Sequence, residues 1–302
     1  MATPKKEAIV QRATELWHND RAKNGDPSFD IEPELEELKE SGWLSVAQSE
    51  LMRSQGTEYE QYIAEEKDQY SETKEFEIDI AEALNSGIFI SGTSASGKSN
   101  LGFIVSDMLM RKGVTVYAID PSQAWQRSSI PNRIMIPKPM KVEWRDPCST
   151  VFDISRLNVL QQKIFVEGFC RTIFNARANS EYRPKTFIFF EEAHLYFPEG
   201  CMRAKSYQEA LRIVTVGRNF NVRFGLITQW CALIDKVVLR FPRQKWFGYT
   251  DEKNDVQYLQ NFVGDKANEL ETLEVGEFLY DYGKVTKKVK VPLFKEKVKV
   301  IA

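Results

Sequence analysis

The chain has 302 residues, 42% apolar and 28% charged, with a formal net charge of -2, a composition that predicts a soluble globular protein of one large domain with room for a small appendage. No apolar run approaches the roughly 20 residues a membrane span needs, and the N-terminal MATPKKEAIVQRATELW lacks the apolar core of a signal peptide. Cys148, Cys170, Cys201 and Cys231 form no CxxC pair, and only His18 and His194 accompany them, so free thiols in a reducing cytoplasm are expected and a structural zinc site is not.

The small net charge conceals an asymmetry. Residues 1–70 hold 16 acidic and 8 basic side chains, net -8, whereas residues 71–302 hold 27 and 33, net +6. That contrast predicts an acidic N-terminal module, residues 1–70, and a main domain, residues 71–302. In the module, Ile9, Ala13, Leu16 and Trp17 recur at helical spacing within residues 5–18, a polar break follows, and residues 34–40 and 43–53 read as further helices.

From residue 74 the pattern alternates. FEIDI (76–80), GIFIS (87–91), VTVYAID (114–120), KTFIFFE (185–191), RFGLITQ (223–229) and KWFGYT (245–250) read as apolar strands. Helical patterns cover 98–111, 158–177 and 205–216. Buried strands alternating with helices predict an α/β fold, a mostly parallel sheet covered by helices on both faces. Two later pieces, EFLYDYG (277–283) and KKVKVPLF (287–294), add strands, and the lysines of KVTKKVKVPLFKEKVKV suit an edge strand guarded by charge.

GIFISGTSASGKSNL carries the most specific signal. Gly92, Thr93, Ser94, Ala95, Ser96, Gly97, Lys98 and Ser99 spell G-x-x-x-x-G-K-[ST], with an apolar strand before and a helix after. Loop amides and a helix N-terminus offer donors and positive dipole to phosphate oxygens. Lys98 would bridge the β- and γ-phosphates of a nucleotide, and the Ser99 hydroxyl would ligate Mg²⁺.

FIFFEEAHLY (187–196) sends a strand with no polar face into two glutamates. A strand buried on both faces delivers Glu191 and Glu192 to the carboxyl edge of the sheet, where a nucleotide would lie. Glu191 would support the metal, and Glu192 would polarise an attacking water. Acids at the start of a helix are the other reading of this pair. His194 reads as a neutral histidine hydrogen-bonded at the strand end, with no acid or base work assigned. Gln229, closing the next strand, can sense a γ-phosphate or its water. Arg218 in TVGRNF either caps a helix or projects across a subunit boundary as an arginine finger, with Arg240 and Arg243 as competitors.

Taken together, GTSASGKSNL, AIDPSQAW, FIFFEEAH, GRNF and LITQ resemble the FtsK/HerA family of P-loop ATPases, closest to its HerA-like branch, over roughly residues 74–283. Asn100 directly after GKS, Asp120-Pro121 and the L-x-x-L-x-V-G-E-F segment at 270–278 add to the likeness. The resemblance implies a RecA-like fold, a homo-hexameric ring, and ATP-driven movement of double-stranded DNA. It also implies that the loop residues through Asn100 bind Mg-ATP, that Glu192 is the catalytic base, that Gln229 is the sensor, and that Arg218 acts in the neighbouring site. Three departures accompany it: Glu191 stands where the family usually has aspartate, Ala95 where glycine is common, and residues 1–70 read as helices rather than the β-barrel of HerA proper. A partner protein, such as a nuclease or capsid portal, would dock on those helices. Cytoplasmic or virion-associated location follows, with no membrane partner. A Zot-like assembly ATPase and a nucleotide-switched interaction module are the alternative functions. Lys138, Lys141 and Arg145 beside Trp144 form a basic loop suited to DNA phosphates.

Overall fold

The computed structural model describes Gln11, Thr14, Glu15, Phe76 and residues 78–294 except 139, 141–145, 202 and 284. Gln11, Thr14 and Glu15 are helical. The other readings made for residues 1–70, together with Lys141, Trp144 and Arg145, lie outside the described residues. A compact unit comprising residues 73–143 and 149–302 carries the sheet.

The first ordered element corrects an expectation. Asp79, inside the FEIDI segment read as a strand, is an N-cap: its carboxylate accepts from the Glu82 N–H at 2.9 Å, and α1 (Ile80–Ser86) follows. A cap of this kind is worth about 1 kcal/mol. Phe76 instead lays its ring against Trp246, centroids 6.3 Å apart.

In chain order come β1 (Ile88–Ser91), α2 (Lys98–Arg111), β2 (Thr115–Asp120), β3 (Asn132–Met135), β4 (Thr150–Asp153), α3 (Val159–Ala178) and β5 (Thr186–Phe190). Then follow α4 (Lys205–Val216), β6 (Val222–Thr228), β7 (Gln244–Gly248), α5 (Lys253–Val263), β8 (Glu277–Tyr282) and β9 (Val285–Lys290). Among the described residues these strands form one nine-stranded sheet in the order β3-β4-β2-β5-β6-β1-β7-β8-β9. Every pairing from β3 to β7 is parallel, and β8 and β9 add antiparallel strands. The α/β architecture read from the alternation is therefore present. Lysines 287, 288 and 290 sit on β9, the edge strand, where charge opposes strand-to-strand association.

β1, β2, β4, β5 and β6 are buried along their whole length. Their continuous apolar runs reflect helices on both faces. Leu101, Ile104, Val105 and Leu109 of α2 share one core with Ile88, Ile90, Val116, Phe187 and Phe189. Tyr117 and Phe152 meet Phe169 of α3 at 5.4 and 5.1 Å. Helix α3 starts at a reciprocal capping box, the Asn158 side chain accepting from Gln161 N–H and the Gln161 side chain from Asn158 N–H.

Candidate active site

Three strand ends leave the sheet on the same side. Ser91 of β1 is in register with Thr228 of β6, and Phe190 of β5 with Leu226. Parallel pairing therefore brings the loop after β1, Glu191 and Glu192 after β5, and Gln229 after β6 to one edge, with β6 separating the loop strand from the acid strand.

Gly92 and Gly97 have φ of 145° and 103°. A Cβ on Gly92 would meet Ser96 Oγ at 2.7 Å and the Gly248 backbone at 3.1 Å, and one on Gly97 would meet Gly276 Cα at 3.1 Å. Conformation and space both require glycine there. Ala95 adopts φ 63° with a side chain, a strain on the order of 1 kcal/mol or more. The loop is held from outside, Thr93 N–H donating to Tyr249 O at 2.8 Å and Gly276 N–H to Ser96 O at 2.9 Å.

Lys98 is only 6% exposed, and its Nζ donates to the Thr93 carbonyl at 2.6 Å. Burial pulls its pKa below the ordinary value, while the carboxylates of Glu191 and Glu192 push it back up. The Asn100 side chain is taken up within the chain. Its Nδ2 donates to Pro292 O at 2.8 Å and its Oδ1 accepts from Phe294 N–H at 2.7 Å, so both ends of the amide are occupied by the C-terminal segment.

Glu191 is buried and accepts from the Trp125 indole N–H at 2.9 Å. Burial pushes its pKa up to about 7, Trp125 opposes the shift, and Glu192 and Asp120 add to it. The placement of Trp125 is itself explained by Asp120, which closes β2. One Asp120 oxygen accepts from the Ser122 and Ala124 N–H groups at 3.2 and 3.0 Å, and the other from Trp125 N–H at 3.0 Å. The indole is fully buried against Phe189 and Phe103, centroids 4.9 and 5.4 Å away. Sequence reasoning noted Asp120-Pro121 as a family likeness and missed this role; a buried tryptophan five residues beyond a strand-closing aspartate was the available signal.

Glu192 adopts φ 51° and ψ 50°, the left-handed region, and precedes a short 3-10 helix, Ala193–Leu195. A non-glycine residue there is uncommon and bends the chain sharply off β5. Its Oε1 accepts from Gln229 Nε2 at 2.7 Å. Its Oε2 lies 3.4 Å from His194 Nδ1, close but not hydrogen-bonded.

Ser96 Oγ and Glu192 Oε2 are buried without a hydrogen-bond partner among the described residues. Such atoms cost about 1–3 kcal/mol each, and a phosphate with its attacking water would relieve both. The donor set, with loop amides, one ammonium and a hydroxyl beside two carboxylates, fits Mg-nucleotide. Among the described residues no group of three or more His, Cys, Asp or Glu side chains could hold a metal ion, so magnesium at Ser99 and Glu191 would take its remaining ligands from nucleotide and water.

Arg218 is exposed and precedes β6, at the sheet edge opposite Gln229. Seven strand residues separate the two edges, about 20 Å. Arg240 and Arg243 precede β7 at that same far edge, and Arg243 lies 4.0 Å from Glu82. None of the three is brought to this chain's own loop.

No protein-family model matches the sequence, and no curated protein matches it. Solved structures do. The genome packaging NTPase B204 of Sulfolobus turreted icosahedral virus 2, in complex with ATP-gammaS, aligns over 68% of this chain and 97% of its own at 17% identity, TM-score 0.53. VirB4 of Thermoanaerobacter pseudethanolicus aligns over 72% of this chain and 93% of its own at 14% identity, TM-score 0.53. The chain shares with them a RecA-like α/β fold. In open α/β sheets ligands bind at the carboxyl edge of the strands, and that is the edge where the loop, both glutamates and Gln229 meet. Among the described residues no helix is long and apolar enough to cross a membrane.

Proposed function

We propose that this chain is an ATP-hydrolysing motor subunit that assembles as a homo-hexameric ring and moves double-stranded DNA, as in genome packaging. The observation that carries the reading is the convergence of phosphate loop, Glu191, Glu192 and Gln229 at one sheet edge, with Gln229 bonded to Glu192 at 2.7 Å. Loop amides and Lys98 hold the triphosphate, Ser99 and Glu191 hold magnesium, and Glu192 takes the proton from the attacking water. Bound magnesium supplies the positive charge that offsets charge building on the β- and γ-phosphate oxygens. A positioned base of this kind contributes roughly 100- to 10,000-fold.

Arg218 serves a neighbouring subunit's site. Its position at the edge away from its own loop supports that role, because it has no reach in cis. The DNA reading draws support from the net +6 of residues 71–302, from exposed Lys138, and from the packaging NTPase among the structural neighbours. A partner that recruits the motor docks on the acidic residues 1–70.

The test is ATP turnover with and without duplex DNA. The motor reading expects DNA to raise turnover, and expects Lys98→Ala and Glu192→Gln to lower it at least about 100-fold. Equal rates with and without DNA would remove the motor and leave an ATPase of another kind.

A further inference from the structure

The histidine beside the two glutamates has a geometry that the hydrolysis scheme above does not use. His194 Nδ1 lies 3.1 Å from Thr228 Oγ1 and 3.4 Å from Glu192 Oε2. The surroundings of the Thr228 hydroxyl favour a proton on Nδ1. That hydroxyl accepts from Trp230 N–H at 3.1 Å, and its own proton has the Trp230 carbonyl at 3.3 Å. One lone pair then remains, and an N–H on Nδ1 fills it. The opposite tautomer would turn a bare Nδ1 lone pair toward the Glu192 carboxylate, which is repulsive. The imidazole also packs on Trp230, ring centroids 5.2 Å apart. Burial lowers the imidazole pKa, which favours a neutral ring with a defined donor.

We propose that His194 is a positioning residue for Glu192: its Nδ1–H, anchored on Thr228, steers Oε2 while Gln229 holds Oε1. The proposal rests on the reading of Glu192 as general base. The two contacts differ in a useful way. The 2.7 Å bond from Gln229 fixes Oε1, whereas the 3.4 Å approach of His194 orients Oε2 without occupying it. The oxygen left free to take a proton is thus the one that His194 aims. The left-handed turn at Glu192 and the short 3-10 helix after it bring residue 194 back beside the carboxylate.

The experiment compares kcat and KM for ATP in the full chain and in His194→Ala, His194→Asn, His194→Gln, Thr228→Val and Glu192→Gln. An asparagine amide stands near the position of Nδ1, and a glutamine amide reaches toward Nε2. His194→Ala should lower kcat about 10-fold or more with KM within about 2-fold, since an aiming contact acts on the chemical step. His194→Asn should recover most of that loss and His194→Gln should not. Thr228→Val, which keeps the imidazole but removes its anchor, should lose kcat likewise and serves if a histidine variant fails to fold. His194→Ala should cost nothing further in a Glu192→Gln background. Wild-type kcat in His194→Ala and Thr228→Val, or equal impairment of the asparagine and glutamine variants, would overturn the proposal while Glu192→Gln remains inactive. Normal turnover by Glu192→Gln would instead bring down the general-base reading, and the proposal with it.

Discussion

Gln229 Nε2 donates to Glu192 Oε1 at 2.7 Å, joining the ends of two adjacent parallel strands. The bond orients a carboxylate whose backbone sits in the left-handed region. Removing the amide in Gln229→Ala frees that carboxylate to rotate, and kcat should fall about 10- to 100-fold while ATP still binds. Gln229→Glu should be worse, because two carboxylates at that separation share a proton and one ceases to act as a base. Steady-state turnover beside equilibrium nucleotide binding measures both effects.

Glu191 makes stability depend on pH in a defined direction. Its folded pKa is about 7, raised from an ordinary 4.5 mainly by burial. Protonation is therefore easier in the folded state, and the stability it contributes is complete below about pH 4.5 and is lost as pH rises through 7. Above that, the folded chain carries a buried carboxylate at a cost of up to about 3 kcal/mol. Glu191→Gln should be more stable than the parent at about pH 8, with the gap closing at about pH 5. Urea unfolding of the nucleotide-free pair at both pH values measures the gap, and a constant difference would contradict the assignment.

The longer acid at position 191 has a local explanation. Its extra methylene carries Oε2 to the Trp125 indole N–H, a contact an aspartate on the same backbone would fall short of. Glu191→Asp should therefore lower hydrolysis rather than raise it. Trp125→Phe, which keeps the buried ring and deletes the donor, should reproduce part of that loss. Its signature is an elevated magnesium requirement with nucleotide affinity little changed.

Asn100 fastens the C-terminal segment to the start of α2 through its two amide bonds, and the Phe294 ring meets Phe103 at 5.8 Å. Asn100→Ala should cost about 1–2 kcal/mol, the net worth of two partly buried hydrogen bonds. Thermal unfolding checks the loss. Phe294→Ala should add to it less than independently, since both act on one segment.

Legibility in the sequence followed burial and distance along the chain. β1, β2, β5 and β6 were readable because each is apolar throughout. Helices α2 and α4 were read with the boundaries observed. β3 and β4 were missed: each has four residues, and β3 alternates half-buried with exposed positions. Helix α5 was also missed, although Val256, Leu259 and Val263 are buried at helical spacing. At the site, the contiguous loop and the paired glutamates could be read directly. The Trp125–Glu191 bond spans 66 residues of sequence, and no local pattern encodes a contact between two strand ends. Asn100 shows the converse, a residue adjacent to the motif whose side chain is occupied 192 positions away.

The most direct measurement is single-turnover ATP hydrolysis by Glu192→Gln set beside its equilibrium ATP binding. The account predicts undiminished affinity for Mg-ATP with hydrolysis slowed at least about 100-fold. Hydrolysis at the parent rate by this variant would contradict it, because no base would then be acting at the end of β5.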